Sequence, residues 1–141
     1  MALSVIRFDL RAPGLTPAEN QRQYAAALDM AVYADEHAFD MCVVSEHHAS
    51  KDGYMTSPMI VASAIAARTT RIPINIGALL VPLHDPIRLA EDLATLDLLS
   101  NGRVGFVTGL GYRRAKGAAA LERRAPKAVV ALNSELLSGS E

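Results

Sequence analysis

Residues 74–107, INIGALLVPLHDPIRLAEDLATLDLLSNGRVGFV, have the pattern of a strand, a helix and a second strand, and they are the strongest indication of the fold class. Ile74 to Leu80 is an apolar run of strand length. Asp85 then offers a capping carboxylate directly before a proline, and Asn101-Gly102 is a typical helix end. Arg103 to Val107 supplies the next strand. Because a helix separates the two strands, the pattern predicts parallel neighbours joined by a right-handed crossover.

The same pattern occurs twice in the residues that precede this stretch. Thr16, with proline after it and Glu19 three residues later, predicts a helix that begins with a capping box. The sequence therefore predicts an α/β domain built from parallel βα units. The further predicted elements are strands over residues 3–8 and 41–44, and helices over residues 17–37 and 57–68.

Composition excludes several classes of function. The 141 residues carry 14 basic and 15 acidic side chains, for a net charge of -1, so there is no overall basic field for nucleic acid or an anionic membrane. No apolar run approaches the length of roughly 18 residues that a membrane span requires. Cys42 is the single cysteine and cannot form a disulfide within the chain, which favours a reducing, cytoplasmic location.

The last part of the sequence differs from the rest, although we expect residues 1–141 to form a single domain. Residues 1–112 carry the βα units, whereas residues 113–141 are predicted to form a basic connector followed by a short terminal helix over 128–137. The Ala-rich, basic stretch over 113–127 is typical of a solvated connector or helix face. A phosphate-binding or nucleic-acid patch is the alternative interpretation.

Four short motifs occur in a fixed order along the chain. They are Glu46-His47-His48, LHDPIRLAED over 83–92, Asp97 with LSNGR over 99–103, and GLGYR over 109–113. In this order and spacing they resemble the bacterial-luciferase-like family of flavin- and deazaflavin-dependent monooxygenases and oxidoreductases. The resemblance covers residues 4–113. It implies a TIM-barrel type of fold, an eight-unit (β/α) barrel of which this chain would carry about four units, as an N-terminal half.

The loops that follow parallel strands meet at one rim, and two adjacent histidines lie on such a loop. The resemblance implies that His47 is the active-site acid or base, with Glu46 and His48 as neighbours that orient it or contact the substrate. From the residues alone, both histidines could instead be ordinary loop or capping residues. A metal site built from His47, His48 and His84 is not expected, because adjacent histidines have poor geometry for one ion.

The third predicted strand contains residues suited to a flat cofactor. Asn75 is polar in an apolar strand, and Gly77 has no side chain to keep a planar ring away. The resemblance implies a non-proline cis peptide between Gly77 and Ala78, beneath a flavin ring. A β-bulge or close helix packing is the alternative interpretation of this strand.

Two glycines and an arginine follow the fourth strand. Gly109 and Gly111 could bring backbone close to a ring or phosphate, and Arg113 could pair with a phosphate. Packing, turn geometry and an exposed arginine are the alternatives. Arg114 stands where a dinucleotide fingerprint requires glycine or alanine, so a Rossmann site is not predicted.

The resemblance implies an oxidoreductase that uses reduced FMN or coenzyme F420 to activate oxygen or transfer hydride to a small-molecule substrate. The alternative is a truncated, non-catalytic barrel fragment that serves as a dimerisation or partner module. Open strand edges at both sides of a half-barrel predict either a homo-oligomer or a complementary chain that supplies the missing half.

Overall fold

The computed structural model describes residues 2–48, 50–111 and 131–132. Strands β1 to β4 are neighbours in chain order and all pair in parallel, which confirms the predicted βα architecture. The elements are β1 (Val5–Phe8), α1 (Pro17–Glu36), β2 (Met41–Val44), α2 (Pro58–Arg68), β3 (Ile74–Leu80), a 3-10 turn (Val81–Leu83), α3 (Pro86–Ser100), β4 (Val104–Gly109) and β5 (Ala131–Leu132).

The helices begin where the capping residues predict. The Thr16 hydroxyl accepts a hydrogen bond from the Glu19 N–H, and the Glu19 carboxylate accepts one from the Thr16 N–H, so α1 has its capping box. Asp85 caps α3 through two backbone N–H groups, whereas Ser57 makes no side-chain hydrogen bond at the start of α2. In the described part of the chain, no helix is both long and apolar enough to cross a membrane.

The core lies between one face of the sheet and the three helices. Small residues such as Ala31 and Ala34 of α1 let that helix pack closely on the strands. The strand residues on this face are Cys42, Val44, Ile74 and Ile76, all with at most 1% of their surface exposed.

The opposite face of the sheet, called the second face below, is formed by the alternate strand residues. Arg7, Val43, Asn75 and Gly105 lie in one register row across the four strands. Arg7 is exposed, and the other three are half-buried. This face is therefore the one that a ligand or further chain could cover.

Two charged side chains hold the connection between α2 and β3 at the N-terminal edge of the sheet. The Asp35 carboxylate accepts N–H groups of Thr70, Arg71 and Ile72 at 2.9, 2.9 and 2.5 Å. The Arg103 guanidinium donates to backbone carbonyls that include those of Thr69 and Ile72. In a parallel array this edge serves stability, since chemistry concentrates at the opposite edge.

The outer edge of β4 differs from the sequence prediction. Ala131 and Leu132 pair antiparallel with Val107 and Phe106, so these two residues form a strand where a helix over 128–137 was predicted. The prediction that the outer edge of the fourth strand is unpaired is also wrong at Phe106 and Val107. The physical reason is that a strand edge offers unpaired N–H and C=O groups, and the VVAL run over 129–132 has high strand propensity.

Candidate functional site

The loop after β2 is held against the loop after β1 by backbone hydrogen bonds. The His47 N–H donates to Met55 O at 2.9 Å, and the Met55 N–H donates to Asp9 O at 3.0 Å. Met55 is fully buried, so it anchors the loop into the core. The backbone of His47 is therefore fixed at the C-terminal edge of the sheet.

Asp52 strengthens the same loop. The Ser50 side chain donates a hydrogen bond to the Asp52 carboxylate, and the Tyr54 N–H donates another. The positive charge of the Arg11 guanidinium also favours the ionised carboxylate. Together they outweigh burial and hold the pKa of Asp52 below its ordinary value of 3.8. Arg11 Nε lies 2.8 Å from Asp52 Oδ2, so this ion pair bridges the two loops.

The His47 ring, predicted to be the acid or base, lies beside an aromatic ring. Its centroid is 5.0 Å from that of Tyr54, and the two planes are inclined at 50°. His47 is half-buried, which leaves part of the imidazole accessible. Sequence reasoning missed Tyr54, because no motif or spacing marks a tyrosine seven residues along a loop.

Glu46 forms the buried centre of the site. Its side chain has no exposed surface, and its Oε2 accepts the Leu80 N–H at 2.6 Å. Its Oε1 lies 2.6 Å from His48 Nε2 and 3.5 Å from His84 Nε2. A buried carboxylate requires such donors. The Glu46 carboxylate thus contacts His48, the last residue of β3 and His84 beyond it, and a role for Glu46 and His48 in orienting His47 stays a prediction.

His84 joins the loop after β3 to this cluster. Its side chain is 25% exposed, but its Nε2 atom is buried and has no hydrogen-bond partner within the described residues. Sequence analysis considered His84 only as a metal ligand. Among the residues that the structure describes, no group of three potential ligands is arranged to hold a metal ion.

The C-terminal half of β3 has the unusual backbone that the resemblance implied. The Gly77–Ala78 peptide is cis. A register shift also occurs here, because Gly77 pairs with Val107 and Leu79 pairs with Thr108. The cis peptide and the bulge, considered above as alternatives, are therefore both present.

Asn75 and Gly77 lie on the second face, two residues apart on β3. The Asn75 amide nitrogen is 3.8 Å from Met41 Sδ, whereas its Oδ1 is buried without a partner among the described residues. Among the described residues, a Cβ added to Gly77 would meet only Val43 Cγ1, at 3.6 Å, so this part of the chain leaves space above the glycine. Gly77 therefore contributes a flat surface, beside an Asn75 acceptor that is unpaired within the described residues and closed to solvent in this conformation.

Gly109, the last residue of β4, and Gly111 beyond it have structural explanations of their own. A Cβ at Gly109 would lie 3.0 Å from Leu80 Cδ2 and 3.1 Å from Ala78 Cβ, so the close packing on β3 favours glycine there. Gly111 is exposed with a φ of +73°, which is the left-handed conformation of a turn. Arg113 lies outside the described residues. A role for Gly109, Gly111 and Arg113 at a cofactor stays a prediction.

Comparison with known proteins connects this geometry to a family. The sequence model described as luciferase-like monooxygenase matches residues 3–129 of the chain. The alkanal monooxygenase beta chain of Photobacterium leiognathi is 40% identical over 76 residues, which are 54% of this chain and 23% of that protein.

Solved structures show the same fold. Monooxygenase RslO1 from Streptomyces bottropensis has a TM-score of 0.70 at 31% identity, covering 86% of this chain and 36% of that one. The oxygenating constituent of 3,6-diketocamphane monooxygenase from the CAM plasmid of Pseudomonas putida, in complex with FMN, has a TM-score of 0.73 at 22% identity. That alignment covers 86% of this chain and 32% of the other. The chain thus matches between 23% and 36% of the length of these relatives.

Proposed function

The chain belongs to the luciferase-like monooxygenase family, and we propose that it forms the flavin-facing part of a monooxygenase that oxidises a small organic molecule with dioxygen, for which reduced FMN supplies the electrons. The observation that carries the proposal is the buried Asn75 Oδ1, which has no partner among the described residues. A buried acceptor without a donor is costly, and a flavin ring carries an N–H donor. Reduced FMN, when bound, supplies the electrons for oxygen activation or hydride transfer.

The residues of the second face fit a flat ring. Gly77 offers no side chain, and Val43 lies beside it as an apolar surface. Asn75 is half-buried and its Oδ1 has no exposed surface, so its amide would have to turn outward to accept a hydrogen bond from the ring. We favour FMN over F420 because the diketocamphane relative holds FMN.

His47 is the residue that we propose to exchange a proton with the substrate. The His47 N–H donates to Met55 O, so the backbone from which the ring extends has a defined position at the C-terminal edge of the sheet. The adjacent Tyr54 ring restricts the rotation of the imidazole. An imidazole held at a rim in this way can act as general acid or base.

A titration tests the proposal. The full chain is titrated with reduced FMN, oxidised FMN and F420, while fluorescence and sedimentation are followed together. We expect saturable binding of reduced FMN that Asn75→Leu weakens and that Asn20→Leu, the same change on α1, leaves unaltered. Absence of binding of any flavin by any oligomer would refute the flavin role and favour a non-catalytic partner module.

A second candidate function, assembly with another copy of this chain, is favoured by apolar side chains on α2 and α3. Ile60 and Ile87 are each 72% exposed, and Leu98 is 82% exposed. Burying such side chains is favourable, and a homodimer would bury two sets at once. We propose that this surface pairs with a second copy, whereas the complementary half-barrel chain predicted from the sequence is the other possible partner. Sedimentation of the purified chain distinguishes the two. A homodimer should sediment as a dimer and dissociate to a monomer in Ile87→Lys, whereas a chain that needs a different partner should sediment as a monomer with or without this change.

A further inference from the structure

We propose that His84 is a positioning residue of the same site, and that it acts on His48 through the carboxylate of Glu46. This inference rests on the proposed function, because it assumes that a ligand binds beside His48. Its geometry rests on the contacts of the Glu46 carboxylate with His48, His84 and the Leu80 N–H. One carboxylate oxygen, Oε1, faces the Nε2 atoms of both imidazoles, at 2.6 Å for His48 and 3.5 Å for His84.

The carboxylate cannot turn away from the two rings. The Glu46 side chain has no exposed surface, and its Oε2 is occupied by the Leu80 N–H at 2.6 Å. Only Oε1 remains for the histidines. A buried carboxylate oxygen that loses its donor is strongly disfavoured, so Glu46 requires a donor there at all times.

His84 is held close to this oxygen by the backbone on both sides of it. Its N–H donates to Val81 O at 3.1 Å, and the next residue, Asp85, caps α3. Its Nε2 is buried and makes no hydrogen bond within the described part of the chain. The imidazole is therefore a spare donor that lies less than 1 Å beyond its hydrogen-bonding distance from Oε1.

These contacts permit an exchange of hydrogen-bond donors at Glu46 Oε1, from His48 to His84, which is called the handover below. When His48, whose side chain is 38% exposed, turns its Nε2 toward a ligand, it leaves Oε1. His84 then donates to the same oxygen, and the buried carboxylate keeps a partner. His84 thereby lowers the cost of releasing His48 to the ligand, which neither Glu46 nor His48 could achieve alone.

The handover is tested first without any ligand, by following the imidazole nitrogen and proton signals of the full chain by NMR after labelling its four histidines. In His48→Leu, the Nε2–H signal of His84 should shift downfield and exchange more slowly with water. The control is His37→Leu, at the exposed end of α1, which should leave the His84 signal unchanged. If His48→Leu does not fold, His48→Asn serves instead, since its shorter amide does not reach Oε1.

The second arm uses reduced FMN. In the unaltered protein, ligand should shift the His48 and His84 signals in opposite directions. His84→Leu should weaken FMN binding, and His84→Gln, which keeps a donor at a similar place, should restore it. An unmoved His84 signal in both His48 variants would overturn the handover even if FMN binds. Failure of the unaltered protein to bind FMN would refute the proposed function, while the ligand-free arm would still decide the handover.

Discussion

The carboxylate of Glu46, on the loop after β2, accepts the N–H of Leu80, the last residue of β3, at 2.6 Å. This contact joins the loop after β2 to the end of β3, between two residues that are 34 positions apart in sequence. It holds the histidine loop in a fixed position relative to the strand that carries Asn75 and Gly77. The geometry of the site therefore depends on a residue that is fully buried.

Replacing Glu46 tests this dependence. Glu46→Ala leaves the Leu80 N–H without its acceptor, and we expect the free energy of unfolding to fall by about 1–3 kcal/mol. Glu46→Gln keeps an acceptor oxygen and should cost less. Urea unfolding at pH 7 measures both variants. Equal losses would show that the Leu80 contact contributes nothing to stability.

His47 is expected to matter for chemistry and not for folding. His47→Ala should abolish turnover with reduced FMN, because the proposed acid or base is lost, while the thermal midpoint stays nearly unchanged. The matched control is His37→Ala, at an exposed position. Turnover and differential scanning calorimetry are measured on the same preparations. Undiminished turnover in His47→Ala would remove the residue from the proposed mechanism.

Asp35 predicts a pH dependence of stability. Burial raises its pKa, but hydrogen bonds from the N–H groups of Thr70, Ile72 and Arg71 and from the Thr70 hydroxyl outweigh burial, so the pKa lies below its ordinary 3.8. The charged form is therefore favoured by folding. Its contribution is fully present above the unfolded-state pKa and is lost as the pH falls through the lower, folded-state pKa.

Asp35→Asn should accordingly lower the unfolding free energy at pH 7, and the difference from the unaltered protein should narrow in acid. Urea titrations between pH 7 and about pH 3, a range that includes the unfolded-state pKa of Asp, measure that difference. Glu36→Gln, at the exposed end of α1, is the control. A difference that is independent of pH would mean that the charge of Asp35 is not what stabilises the loop.

Cys42 should be unreactive while the protein is folded. Burial raises the pKa of its thiol to about 12, so the nucleophilic thiolate is scarce at pH 8. A thiol-reactive disulfide reagent should label the folded protein far more slowly than the protein in urea. Labelling rates then report unfolding. Rapid labelling in buffer would show that the core opens around β2.

Two glycines offer a matched test of strand packing. Gly109→Ala places a methyl group 3.0 Å from Leu80 Cδ2 and 3.1 Å from Ala78 Cβ. We expect a loss of roughly 1–3 kcal/mol, as for other overpacked sites. Gly77→Ala meets Val43 at an ordinary 3.6 Å and should cost less. The reverse order in chemical denaturation would contradict the described approach of β4 to β3.

The parts of the fold that could be predicted from sequence are those decided by neighbouring residues. The capping box of Thr16 and Glu19 needs only a spacing of three, and Asn101 ends α3 in a left-handed conformation that its own side chain tolerates. The terminal helix was predicted on the same local basis. The structure differs from that prediction at Ala131 and Leu132, which form a strand, because an open strand edge competes with local helix propensity.

The βα units, their parallel order and the loops on which the histidines lie could all be predicted from residue order, because each follows from periodicity and capping along the chain. The contacts between particular atoms depend on how the strands pair and pack. Glu46 and His84 are 38 residues apart, and they approach because β2 and β3 pair with Val43 opposite Asn75. A buried carboxylate selects its donors by three-dimensional distance, which residue spacing does not encode.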